Sequence, residues 1–95
     1  MAILSFADDE TEDVFYGRRV KGVGPQIGKQ ARLRLLALHG APTLAALASP
    51  GADLKQLKGA KAAWQMRVNQ QYRLRFVVMR DPPLEVGDVW FGDPH

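Results

Sequence analysis

The chain has 95 residues, 46% of them hydrophobic, which suits a single domain over residues 1–95 with a small core. It has no cysteine, which excludes disulfide staples and thiolate metal sites, and no apolar run approaches the roughly 20 residues that cross a bilayer. The net charge of +3 hides a division: Asp8, Asp9, Glu10, Glu12 and Asp13 precede every lysine and arginine, so residues 14–95 carry a surplus of eight positive charges. A surface of that sign favours nucleic acid or an acidic protein as partner, against the plainer reading of a solvated basic face.

The opening segment MAILSFADDETED is acidic and lacks the basic n-region of a secretory signal, so the expectation is a soluble, cytoplasmic protein. Ile3 to Phe6 reads as a short strand. Asp8 or Asp9 is placed to cap a helix running to about Tyr16, with acids in its first turn complementing the macrodipole and Gly17 ending it. The basic, glycine-rich linker GRRVKGVG leads to Pro25, which suits the first turn of a second helix reaching about Leu38. Ile27, Ala31, Leu35 and Leu38 fall on one stripe of that helix, with Lys29, Arg32 and Arg34 elsewhere. Thr43 is placed to cap one short turn through Ala48, and Ser49, Pro50 and Gly51 form a loop. A strand near Leu54 to Leu57 follows, then a hairpin, the turn Arg80 to Pro83, and a last strand from about Leu84 to Phe91. Neither helix buries its stripe alone, which predicts an α+β fold with both helices on one face of a small, mainly antiparallel sheet.

The hairpin carries the clearest pattern. Trp64, Met66 and Val68, then Tyr72, Leu74 and Phe76, alternate with the polar series Gln65, Arg67, Asn69, Arg73 and Arg75. Both series stay in phase only across a loop of odd length, placed at Asn69, Gln70 and Gln71. Val68 then opposes Tyr72, Met66 opposes Leu74 and Trp64 opposes Phe76 on the buried face, while Arg67 faces Arg73 on the other. Like charges directly opposed cost free energy, which points to an anion between them. Trp64 and Tyr72 sit at core parity and read as packing residues.

The arginine forks suit phosphate oxygens bidentately, and Lys55, Lys58 and Lys61 lie just before the patch. The plain alternative pairs Arg67 or Arg73 with Glu85 or Asp88 of the last strand. Lys61 and Arg75 are ordinary surface charges on the plain reading; on the functional one they join Lys55 as RNA- or phosphate-binding residues. No hydrolase triad, P-loop or metal-ligand cluster is visible, and His39 and His95 are isolated. Gly92 and Pro94 bracket Asp93 before His95, which predicts a disordered tail on the plain reading. On the functional reading that histidine exchanges protons near neutral pH.

The segments SFADDETEDVFYGRR, LKQLKG, MRVNQQYRLRF and DPH, in that order, resemble those of HigB-type toxins of bacterial toxin–antitoxin pairs, within the RelE/ParE superfamily. The resemblance runs over nearly the whole chain with essentially no gaps. It implies two helices on an antiparallel sheet and, in many members, metal-free cleavage of messenger RNA on the ribosome. It also implies neutralisation by a helix-turn-helix, HigA-like antitoxin, with operator DNA reached only through that partner and with no membrane and no cofactor involved. Carried over by position, the family's lysine falls on Lys58, its strand arginines on Arg67 and Arg73, and its closing Asp-Tyr-His on Asp93, Pro94 and His95. Pro94 thus stands in place of a tyrosine, Gly92 in place of an aliphatic residue, and Lys55 and Gln56 where some members have a histidine.

The resemblance implies a catalytic set of Lys58, Arg67, Arg73, Asp93 and His95. In RNA cleavage a ribose 2′-oxygen loses its proton and attacks the adjacent phosphate in line, while the 5′-oxygen leaves. The arginines, with Lys58, would hold the phosphate, His95 would protonate the leaving oxygen, and Asp93 would orient His95 or take the first proton. Three other readings remain: a ParE-like inhibitor of a protein target such as gyrase, whose basic face is an interface and in which His95 is incidental, a non-catalytic RNA-binding module using the same patch, and a degenerate toxin active only as the antitoxin's partner or as a co-repressor.

Overall fold

The structure is a computed structural model and describes residues 2–59 and 62–95. Its elements in chain order are α1 (Asp9–Phe15), α2 (Pro25–Gly40), a 3₁₀ turn (Ala45–Leu47), and strands β1 (Lys55–Gln56), β2 (Ala63–Arg67), β3 (Arg73–Arg80) and β4 (Glu85–Gly92). The strands form one antiparallel sheet in the order β1-β2-β3-β4. No helix among the described residues is long and apolar enough to cross a membrane.

Asp8 caps α1, its Oδ1 accepting the Thr11 amide N–H at 2.7 Å, and Asp9, Glu10 and Glu12 occupy the first turn. The last turn of α1 has no basic residue of its own; Arg32 of α2 donates from Nε to the Phe15 carbonyl at 3.0 Å and supplies the missing positive charge. Pro25 opens α2, as predicted, and the helix runs two residues past Leu38 to Gly40. Ala31, Leu35 and Leu38 of the stripe are fully buried, and Ile27 packs at the margin. They share one core with Val14 of α1 and with Met66, Val68, Leu74, Phe76, Val86, Val89 and Phe91 of the sheet side, so both helices cover one sheet face.

The hairpin adopts the predicted register, with Trp64 opposite Phe76, Met66 opposite Leu74 and Arg67 opposite Arg73. Asn69 sets its tip: Oδ1 accepts the amide N–H groups of Gln71 at 2.8 Å and Tyr72 at 2.7 Å, a side-chain turn that accounts for the three-residue loop. Tyr72 stacks on Phe91 with centroids 5.2 Å apart, a packing role as expected.

Two departures matter for the site. Residues 3–6 do not form a strand of their own; Ile3 and Phe6 make single parallel bridges to Val86 and Val89 along the outer edge of β4. In addition, β4 is not evenly alternating. Between the pairs Arg75–Trp90 and Val77–Gly87, β3 has Phe76 alone while β4 has Asp88 and Val89. This bulge holds Asp88 at φ 49° and carries both Val86 and Val89 to the core, although they are three residues apart. Strict alternation would have turned Trp90 to the side of Val86; the bulge turns it to the side of the arginines.

The left-handed conformation at Asp88 is tolerable for aspartate and poor for a β-branched residue. Asp88→Val is therefore expected to lower stability by about 1–2 kcal/mol, read as a shift of the urea midpoint at unchanged m-value. A variant as stable as the parent would show that β4 pairs equally well without the bulge.

Candidate functional site

Direct cross-strand pairs place their side chains on one face of a sheet, so the register assembles the site. On the face away from the helices, Lys55, Gln65, Arg75 and Trp90 form one row across four strands, and Arg67, Arg73 and Gly92 form the next. Gln65 is buried beneath this face at 6% exposure, and its Oε1 accepts from Arg75 Nε at 3.0 Å. The Arg75 guanidinium also lies 5.6 Å from the centre of the Trp90 ring.

The two opposed arginines are not equivalent. Arg73 turns its Nη1 back onto the hairpin tip, donating to the carbonyl oxygens of Asn69 and Tyr72, the latter at 3.0 Å. These acceptors relieve part of the like-charge cost that the sequence left unanswered. The Arg67 backbone N–H donates to the Ala52 carbonyl at 2.7 Å, but its guanidinium has no hydrogen bond or ion pair among the described residues, and neither arginine pairs there with Glu85 or Asp88.

The tail is folded against the same tip, which corrects the reading of a disordered end. Gln71 Nε2 donates to Asp93 Oδ2 at 3.0 Å. Asp93 Oδ1 accepts the His95 backbone N–H at 2.9 Å and lies 2.8 Å from His95 Nδ1. Arg73 through Asn69 and Tyr72, Asp93 through Gln71, and His95 through Asp93 are therefore all fastened to one three-residue loop, with Arg67 across from Arg73. Pro94 lies within this closed tail, between the two residues that bond each other.

Lys58 does not join this group. It is exposed on the turn after β1, where Leu57 donates to Ala63 at 2.8 Å, and β2 runs from there about 13 Å to the level of Arg67. Lys55 is nearer, in the row beside the arginine pair. Lys61 lies outside the described residues. His39 is a structural residue: its Nδ1 accepts the Ile3 amide N–H at 3.2 Å and its ring meets Phe15 edge-on. Among the described residues no three His, Cys, Asp or Glu side chains converge as a metal site.

Sequence reasoning missed three contributors. Gln71 and Asn69 were read only as loop residues, although their side chains build the tip. Trp90 was hidden by the bulge. A separate groove of about 1000 Å³ lies between the end of α1, the interhelix loop and the start of α2. Arg18, Arg19, Lys21, Lys29 and Arg32 line it, and it shares no residue with the hairpin-tip site.

The hydrogen bonds to Asp93, first that of the His95 backbone, then Gln71, then the His95 ring, lower its pKa from 3.8 to about 2. Because the folded value lies below the free one, the attachment contributes fully above about pH 4 and is lost as pH falls through about 2. In a ¹⁵N-resolved NMR titration, the Gln71 side-chain amide is expected to keep its bound shift at pH 4 and lose it with a midpoint near 2. In Asp93→Ala that signal is expected at its free position already at pH 7. A Gln71 signal indifferent to both changes would detach the tail from the loop.

A family model described as the RelE-like toxin of the type II toxin–antitoxin system HigB matches residues 4–95. No curated protein matches the chain. The matched span holds both helices, the whole sheet and the anchored tail, and the α+β architecture is that of the family. The chain belongs to the HigB-like toxin family of type II toxin–antitoxin systems.

Proposed function

We propose that residues 1–95 act as one toxin domain, a ribosome-dependent endoribonuclease that cleaves messenger RNA in the cytoplasm without a metal ion. The observation that carries this reading is the convergence of Arg67, Arg73, Asp93 and His95 on the hairpin tip, which sets a phosphate-binding pair beside a proton donor.

The Arg67 guanidinium, unengaged among the described residues, takes the scissile phosphate, and Arg73, fixed by its carbonyl acceptors, adds charge from a pre-set position. Positive charge held in place before the reaction stabilises the phosphoryl oxygens as they become more negative. Asp93 accepts at His95 Nδ1, which leaves Nε2 to protonate the departing 5′-oxygen. A carboxylate with a pKa near 2 is a weak base at neutral pH, which supports Asp93 as the group that orients His95, and the 2′-proton passes to solvent water as the 2′-oxygen attacks the phosphate. Lys55, Arg75 and Lys61 hold flanking phosphates, while Lys58 reaches the RNA at the other end of the strand. So few acid–base groups call for a substrate already shaped by the ribosome, in line with proximity and orientation as the main source of rate.

A cognate antitoxin follows from family membership. Our reading is that it is a helix-turn-helix, HigA-like protein, through which alone the toxin meets operator DNA.

Arg67→Ala is expected to abolish growth inhibition on expression while leaving the melting temperature and antitoxin binding close to those of the parent. Arg73→Ala is expected to abolish it too, with a loss of about 1 kcal/mol in stability because the tip loses its carbonyl contacts. Deletion of His95 is expected to slow single-turnover cleavage on programmed ribosomes by roughly 10²- to 10⁴-fold. Full toxicity of Arg67→Ala, or growth arrest through blocked gyrase with message uncut, would sink the reading.

A further inference from the structure

Trp90 is unexplained by the core. Among the described strand residues it is the aromatic that the register sets on the arginine face, directly opposite Arg75 and one row from Arg67 and Arg73. Its ring is half-buried and leans along β4 over Gly92. A Cβ at residue 92 would meet Cζ2 at 2.3 Å, Cη2 at 2.8 Å and Cε2 at 2.9 Å, so the pose of the indole requires glycine there. The two residues form one device: Gly92 leaves the space, and Trp90 lies across it immediately before the tail that holds Asp93 and His95. An aromatic ring flanked by guanidinium groups on an otherwise polar sheet face is the arrangement on which unpaired bases stack, because every base offers a π-face.

We propose that Trp90 is a nucleobase-stacking platform for single-stranded RNA, with Arg75 beside it tracking the backbone. The inference rests on the RNA-cleaving reading above and adds to it the base-binding surface that Pro94 does not supply. Trp90 binds and positions the nucleotide next to the scissile phosphate and takes no part in proton transfer.

The test uses the full chain and a 2′-O-methyl hexa-adenylate, which lacks the attacking hydroxyl, so binding is read without cleavage. Trp64→Phe leaves Trp90 as the single tryptophan, and the oligonucleotide is expected to quench its fluorescence saturably. Trp90→Ala is expected to weaken binding, followed by anisotropy of the labelled oligonucleotide, by roughly 5- to 150-fold. Trp90→Phe is expected to lose less. Gly92→Ala, which keeps the indole and displaces it, is expected to resemble Trp90→Ala. On programmed ribosomes Trp90→Ala is expected to raise KM with kcat little changed, whereas a merely structural tryptophan would lower both stability and kcat. Binding seen by anisotropy without quenching, or undiminished in Trp90→Ala, overturns the inference and leaves the RNA reading standing. No binding by the parent at all overturns the inference and counts against RNA recognition by this face.

Discussion

One extra residue in β4 decides both sides of the sheet. Val86, Val89 and Phe91 all reach the core only because Asp88 is bulged out of the ladder. The same displacement delivers Trp90 and Gly92 to the face that carries Arg67, Arg73 and Arg75. Asp88 holds a left-handed conformation to make this possible, and Ser5 supports the spot: its hydroxyl accepts the Asp88 amide N–H at 2.9 Å and its carbonyl accepts that of Val89 at 3.1 Å. A bulge of this kind re-aims a side chain without lengthening the strand.

The charged face is then organised by neutral acceptors more than by counter-ions. Arg73 is met by two backbone carbonyls, Arg75 by the Gln65 amide oxygen and the Trp90 ring. Such partners fix the direction of a guanidinium without cancelling its charge, so the face stays electropositive while losing side-chain freedom. Asp93, the acid tied to this region, spends its oxygens on Gln71 and His95 and leaves the arginines unneutralised.

What the sequence could reveal follows the reach of its periodicities. The period of two across Trp64–Phe76 fixed the hairpin register because a slip of one residue would expose Met66 and Leu74. The stripe of α2 and the Asp8 cap were legible for the same local reason. Trp90 was not, since a bulge breaks the parity on which the argument rests and no residue type announces it. Gln65 looked solvent-facing because alternation gives a side but not the depth of burial, which here comes from Arg75 above it. The order in the tail depends on Gln71 meeting Asp93, a contact 22 residues apart. Lys58 and Arg67, near in sequence pattern, are separated by the length of β2.

The outer edge of β4 has a bearing on how the chain closes on itself. Its amide groups are taken up by residues about eighty positions earlier: Val86 donates to the Ala2 carbonyl at 2.7 Å, Val89 to that of Ser5, and Phe91 to the Thr11 hydroxyl at 3.0 Å. Without β4, Leu4 and Ala7 lose the Val86 and Val89 carbonyls that accept their amide N–H groups and β3 loses its outer neighbour, while Ala2 and Ile3 keep their bonds to His39. Closing this edge needs contacts between residues some eighty positions apart, so the cost of loop closure falls on the docking of β4. The segment before α1 and the strand that carries Trp90 therefore depend on each other for their order.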